Sequence, residues 1–202
     1  MGILDPTVPS DYDSREIHAL APRVDDVSEK RIGLYDNGKM AAEPVLAVLR
    51  EKLEDRYPEA TISTHAKEAK HVVQDPDELE AVREWAAEEI DVCVGAIGDC
   101  GSCTKFLTWG LQAVEEAGVP SVGLVDEGFV LDWQSNAVER GYPLRYVDSA
   151  VRSEVRDRDL IAERLTPAVL DEIVGELTRP LTETERGMAP RRETTARRED
   201  EA

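Results

Sequence analysis

The strongest constraint on the fold is an alternation: short apolar runs and segments of helical period follow one another about five times along the chain. The first pair is RIGLYDNG, an apolar run ending in a turn, and AAEPVLAVLREKLEDRY, where Val45, Leu46, Leu49 and Leu53 share a face and Pro44 sits near the first turn. ATISTHA is a second strand candidate. Asp75-Pro76 then opens the helix DELEAVREWAAEEI, with Leu79, Val82, Trp85 and Ala86 on one side. IDVCVGAIG is almost continuously apolar, as a strand buried on both faces of a parallel sheet should be. KFLTWGLQAVEEAG reads as a helix stopped by Gly118, and VPSVGLV as the next strand. DWQSNAVERG gives another helix and LRYVDSA a fifth strand. TPAVLDEIVGELTRPL gives a last helix, with Thr166 as cap and Pro167 in the first helical position.

Parallel strands need helical crossovers, so this order predicts an α/β domain with a doubly wound, mostly parallel, flavodoxin-like sheet of about five strands. The domain is expected over residues 31–178. Residues 1–30 hold Pro6, Pro9 and Pro22 without a sustained period and predict an extended N-terminal arm, whose packing on the domain the sequence leaves open. Residues 179–202 are polar, with six Arg against six acidic residues, and predict a disordered C-terminal tail.

Charge narrows the function. The chain carries 43 acidic and 24 basic residues, a formal charge of −19, and all of that excess lies in residues 1–178. Such a domain repels phosphate backbones and anionic leaflets, so neither nucleic acid nor membrane is an expected partner. The acids are spread along the chain, and none of the six Lys lies beyond Lys105. That pattern resembles the acidic surfaces of proteins from salt-loving organisms. With no signal-peptide pattern at MGILDPTVPS and only three Cys, the expectation is a soluble cytoplasmic protein whose thiols serve chemistry rather than a disulfide framework.

In a doubly wound sheet a ligand site lies beyond the carboxyl ends of the strands, where the strand order reverses. Three polar strand ends should meet there: Asp36-Asn37-Gly38-Lys39, Asp99-Cys100-Gly101-Ser102-Cys103-Thr104 and Asp126-Glu127-Gly128. The sharpest signal is the pair Cys100 and Cys103. A CxxC between a buried strand and a helix puts its first thiol at the helix N-terminus, where free backbone N–H groups favour thiolate. The second thiol, one turn on, can close a disulfide. Asp99 opposes this by raising the thiol pKa unless it is protonated or turned away. Lys39, Asp36 and Asn37 are candidates for substrate contact, and Ser102 and Thr104 for stabilising negative charge.

Other chemistries are weaker. A zinc site needs a second ligand pair, whereas His18, His65 and His71 are scattered and Cys93 sits in the apolar run as a core residue. The turn at Gly98 and Gly101 is like a phosphate cradle, yet neither GxGxxG nor GxxxxGK[ST] is present, so no cofactor or metal is expected. Flavin binding would rest on fold analogy alone.

AIGDCGSCT, followed by EEAGVPSVGLV, resembles the UGSC family of (seleno)proteins, as do ILDPT, RIGLYDNGK and GVPSVGLVDEGF; the likeness spans roughly residues 3–175. The first Cys of that motif is selenocysteine in some members, and Cys100 occupies its place. The resemblance therefore implies that Cys100 is the attacking atom and Cys103 the resolving one. Three readings follow: a thiol oxidoreductase acting on a small-molecule or thiol substrate, with a redox partner protein; a Cys-nucleophile lyase, isomerase or reductive-cleavage subunit, with Asn37 and Lys39 holding a carboxylate; and a non-enzymatic redox-sensing or interaction module.

Overall fold

The computed structural model describes residues 16–66, 76–152 and 155–187. Five parallel strands, β1 (Arg31–Asp36), β2 (Thr61–Ala66), β3 (Val92–Gly98), β4 (Ser121–Val125) and β5 (Tyr146–Asp148), form one sheet in the order β2-β1-β3-β4-β5. This is the doubly wound, flavodoxin-like order, as expected. The helices are α1 (Ala42–Arg56), α2 (Pro76–Glu89), α3 (Gly101–Glu116), α4 (Val130–Arg140), α5 (Arg158–Arg164) and α6 (Pro167–Thr178).

The strand period of two sorts the core into two halves. Ile32, Leu34, Val92, Val94, Val122 and Leu124 point to one face and pack with residues of α1, α5 and α6. Tyr35, Cys93 and Val125 belong to the other face, with α2, α3 and α4. On that second face the sheet is thinned by glycine. A Cβ on Gly123 would come within 2.3 Å of the Trp133 ring, and one on Gly95 within 2.9 Å of Leu107 and Leu111. These bare strand positions let large helical side chains lie directly on the backbone, and Trp133 anchors there by donating its indole N–H to the carbonyl of Leu144 at 3.1 Å. Cys93 is fully buried in this layer, as a core residue should be, and burial pushes its thiol pKa up.

Each helix end follows from a local residue. Cys100, Asp157 and Thr166 accept backbone N–H groups as caps of α3, α5 and α6, and Pro167 opens α6. Gly141 stops α4 in the left-handed conformation with φ of 72°. The short α5 was not expected, because its seven residues carry only Leu160 and Ile161 as apolar side chains large enough to show a period. The fifth strand is shorter than LRYVDSA suggested.

The described part of the arm, residues 16–30, runs along the domain at the N-terminal ends of the strands. Leu20, Ala21 and Val27 are buried, and Arg23 makes a two-oxygen contact with the buried Glu115 at 2.9 Å. Glu115 also accepts the N–H groups of Ala21 and Ser121, both at 2.7 Å, so its charge is satisfied on all sides. The expected tail boundary moves: residues 179–187 are folded, because Glu185 is drawn inside by Arg145. The guanidinium grips both carboxylate oxygens at 2.8 and 2.9 Å, and the backbone N–H of Leu20 donates to the Glu185 carbonyl at 2.8 Å. Residues 16–20 of the arm and residues 179–187 therefore pack against one another. Residues 1–15 and 188–202, with the remainder of the expected arm and tail, lie outside the described residues, as does His71.

Burial alone would raise the Glu185 carboxyl, but hydrogen bonds from Arg145 and Thr182 outweigh it and bring the pKa to about 2 from 4.5. A lowered folded pKa adds stability that is complete above the unfolded value and disappears as pH falls through the folded one. Glu185→Gln should therefore cost about 2 kcal/mol in urea unfolding at pH 7. The gap to the wild-type protein should close as pH drops from 4.5 toward about 2.

Candidate functional site

The site forms at the carboxyl ends of β1 and β3, the strands between which the sheet changes winding direction. β1 ends in the turn Asp36 to Lys39, and β3 runs through Gly98 and Asp99 into Cys100, the cap of α3. Register along β3 shifts between Ala96 and Gly98, which takes the Ile97 backbone out of the ladder with β4.

The polar groups this exposes are satisfied by one side chain. Asn37 accepts the N–H of Ile97 at 3.2 Å and donates to the Ile97 carbonyl at 3.0 Å. It also donates to the Cys103 carbonyl at 3.2 Å and accepts the N–H of Lys39 at 3.2 Å. Two donors and two acceptor positions are filled, so Asn37 organises the site and has no capacity left for a carboxylate ligand. Asp36 caps its own turn by accepting the N–H of Gly38 at 2.8 Å and lines a groove with Arg50 and Thr64.

Cys100 and Cys103 are disulfide-bonded, with Cα atoms 5.1 Å apart, inside the span that such a bond requires. The backbone N–H of Cys103 donates to the Cys100 sulfur at 3.1 Å, and the Ser102 hydroxyl lies 3.5 Å from it. The first turn of a 16-residue helix thus converges on this sulfur, the position where thiolate charge is best held. Gly101 and Ser102 are exposed and both cysteines are partly so, which leaves the pair open to a reactant.

Beneath the pair the chemistry changes. Asp99 is 2% exposed and Thr104 fully buried. Neither carboxylate oxygen of Asp99 nor the Thr104 hydroxyl has a hydrogen-bond partner among the described residues. The Lys39 ammonium lies 3.7 Å from Asp99 Oδ1. Burial pushes the Asp99 carboxyl above its ordinary range, Lys39 pulls it down, and Asp126 at the end of β4 pushes it up again. A carboxylate oxygen of Asp99 and the two sulfurs lie within 4.8 Å of one another. With the sulfurs bonded to each other this trio offers a single carboxylate donor, a poor cation site.

The expected residues thus separate into an open layer, Cys100, Ser102 and Cys103, and a buried one, Asp99 and Thr104, with Lys39 at its margin. The third polar strand end contributes Asp126, which caps the turn after β4 and pairs with Arg152 at 3.1 Å. Arg152 has no signal in the sequence, because it reaches the site edge from the loop after β5. His65 is placed away from the pair, with its ring 5.1 Å from that of Trp85 and 6.3 Å from that of Tyr35.

These features define a doubly wound parallel α/β protein carrying a CxxC disulfide at its topological switch point. The UGSC family profile matches residues 2–179, and the chain belongs to that family. No curated protein matches the chain. Among solved structures it is similar to a periplasmic solute-binding protein of an ABC transporter from Actinobacillus succinogenes, with bound D-allose. That likeness has 15% identity and a TM-score of 0.37 over 58% of this chain and 37% of the other. A pilus assembly protein, CpaE from Caulobacter crescentus, is 13% identical with a TM-score of 0.39 over 77% of this chain and 98% of the other. The chain spans little more than a third of the solute-binding protein's length.

Because the Asn37 amide supports Ile97 and the first turn of α3 together, Asn37→Ala should leave buried backbone groups unpaired. A loss of about 2–3 kcal/mol in urea unfolding is expected, together with a slower reaction of reduced Cys100 with iodoacetamide.

Proposed function

We propose that this UGSC-family protein is a thiol oxidoreductase in which Cys100 attacks and Cys103 resolves. The observation that carries the reading is the Cys100–Cys103 bond at the switch point, with a helix N–H donated to the Cys100 sulfur at 3.1 Å. In the reduced form, Cys100 thiolate attacks a substrate disulfide and expels one of its sulfurs as thiolate. Cys103 then loses its proton and attacks the Cys100 sulfur of the mixed disulfide, which releases the second substrate thiolate. Two electrons pass to the substrate, and a dithiol reductant restores the pair.

Ser102, on the open side, stabilises the attacking sulfur; Asp36 and Lys39 border the approach. The acidic surface makes an uncharged or cationic substrate or redox partner protein the better fit. The bonded pair favours this reading over a lyase or isomerase, which would use Cys100 alone. The surface acids serve solvation at high ionic strength, and the protein works in the cytoplasm.

Cystamine, a cationic disulfide, is the probe for a test by mass spectrometry. Reduced wild-type protein should form the internal disulfide, whereas Cys103→Ser should accumulate one cysteamine on Cys100. Cys100→Ser should lose the reaction at this site. A Cys103→Ser protein that stays unmodified, or a Cys100→Ser protein of undiminished rate, overturns the proposal.

A further inference from the structure

Asp99 is a costly residue to keep where it is. Its carboxyl is 2% exposed and neither oxygen has a hydrogen-bond partner among the described residues. A buried polar group without partners typically costs a folded protein about 1–3 kcal/mol, and more when charged. The site gives it a reactive neighbour instead: one of its oxygens lies within 4.8 Å of both sulfurs of the Cys100–Cys103 pair. On its other side stands Lys39, 3.7 Å away, too far for a hydrogen bond yet close enough to offset a negative charge.

We propose that Asp99 is the proton store of the cysteine pair, giving its proton to the sulfur expelled when the disulfide is reduced and taking one back as the cycle closes. This deepens the oxidoreductase reading and rests on it. A thiolate of a dithiol reductant attacks the Cys100 sulfur and forms a mixed disulfide. The bond to Cys103 breaks, the electron pair leaves on the Cys103 sulfur, and that sulfur takes the Asp99 proton. The second thiol of the reductant then gives its proton to the Asp99 carboxylate and attacks the reductant sulfur of the mixed disulfide. Cys100 leaves as thiolate. The dithiol is oxidised by two electrons, the pair is reduced, and Asp99 ends as it began.

The surroundings suit the task. Burial pushes the carboxyl pKa above the ordinary Asp range, Lys39 opposes this, and Asp126 from the end of β4 supports it. Asp126 is itself tied to Arg152 at 3.1 Å, and Asp132 of α4 stands near Gly101. When the proton leaves, the carboxylate faces Lys39, so the charge formed has a partner already in place. The neutral acid also removes the conflict that an aspartate beside Cys100 would create, because two negative charges this close would each suppress the other.

The test follows reduction of the protein's own disulfide by dithiothreitol from about pH 5 to 9, with each rate divided by the concentration of dithiothreitol thiolate. For wild-type protein this normalised rate should fall as pH rises through the titration of Asp99. Asp99→Asn should be slower by at least about tenfold on the acid side and lack the inflection. Lys39→Met should keep the inflection and move it to higher pH, since the carboxylate loses its counter-charge. A folded Asp99→Asn protein, judged by circular dichroism, that keeps the wild-type profile overturns the proposal. If that variant does not fold, Lys39→Met decides, and an unmoved inflection overturns it. A wild-type disulfide that dithiothreitol reduces at no pH removes the oxidoreductase reading as well, whereas normal reduction without the Asp99 effects leaves that reading standing.

Discussion

The site depends on the four hydrogen bonds of Asn37. Where β3 departs from register, the Ile97 backbone would otherwise face the interior unpaired, and the Asn37 amide supplies both an acceptor and a donor for it. The same amide donates to the Cys103 carbonyl and so fixes the first turn of α3 against the end of β1. A fully satisfied polar group in a low-dielectric setting is rigid as well as stable, because any movement breaks several bonds together. The geometry of the Cys pair is inherited from this tie: helix start, strand end and turn are held as one unit, and the cysteines lie on it.

The glycine-thinned face contributes to the same rigidity from below. Tyr35 at the end of β1 reaches α3, where a Cβ on Gly110 would stand 2.3 Å from its ring. Leu107 and Leu111 of α3 lie on the backbone of β3 at Gly95. The helix that carries the cysteines is therefore seated along its length and cannot slide without opening packed contacts. At the opposite end of the same helix, Glu115 binds the arm through Ala21 and Arg23. One helix thus links the cysteine pair at the carboxyl ends of the strands to the strap at their amino ends.

The sheet, its parallel sense and its helices were legible because β3 is apolar throughout and the helical faces of α1, α2, α3 and α6 carry several large apolar residues each. The Cys pair and the three polar strand ends were legible because parallel topology fixes which ends meet. What was not legible depended on side chains meeting across long separations. Asn37 reads as a ligand-binding residue until Ile97 leaves its ladder, and a bulge has no clear mark in AIGDC. Lys39 reads as a partner for thiolate until Asp99 is seen to turn inward. Glu185 sits in a polar segment with balanced charge, and only Arg145, 40 residues earlier, shows that the chain remains folded to that point.

The excess of negative charge sets the site a problem that local structure must answer. A domain whose folded residues carry far more acids than bases opposes every new anion, and a thiolate is an anion. Lys39 would be the obvious remedy, yet its charge is shared with Asp99, 3.7 Å from its ammonium. Two features remain to favour Cys100 thiolate. One is the start of α3, whose N–H groups act at short range, where screening and distant charges matter little. The other is the raised carboxyl pKa of Asp99, which lessens the charge of the acid beside the pair. If the acidic surface is an adaptation to high salt, the division of labour follows from screening: mobile ions shorten the reach of the exposed carboxylates to a few ångströms at molar concentrations, while the buried Asp99 is screened much less. The surface can then be acidic for solubility without dictating the ionisation of a thiol held on the end of a helix.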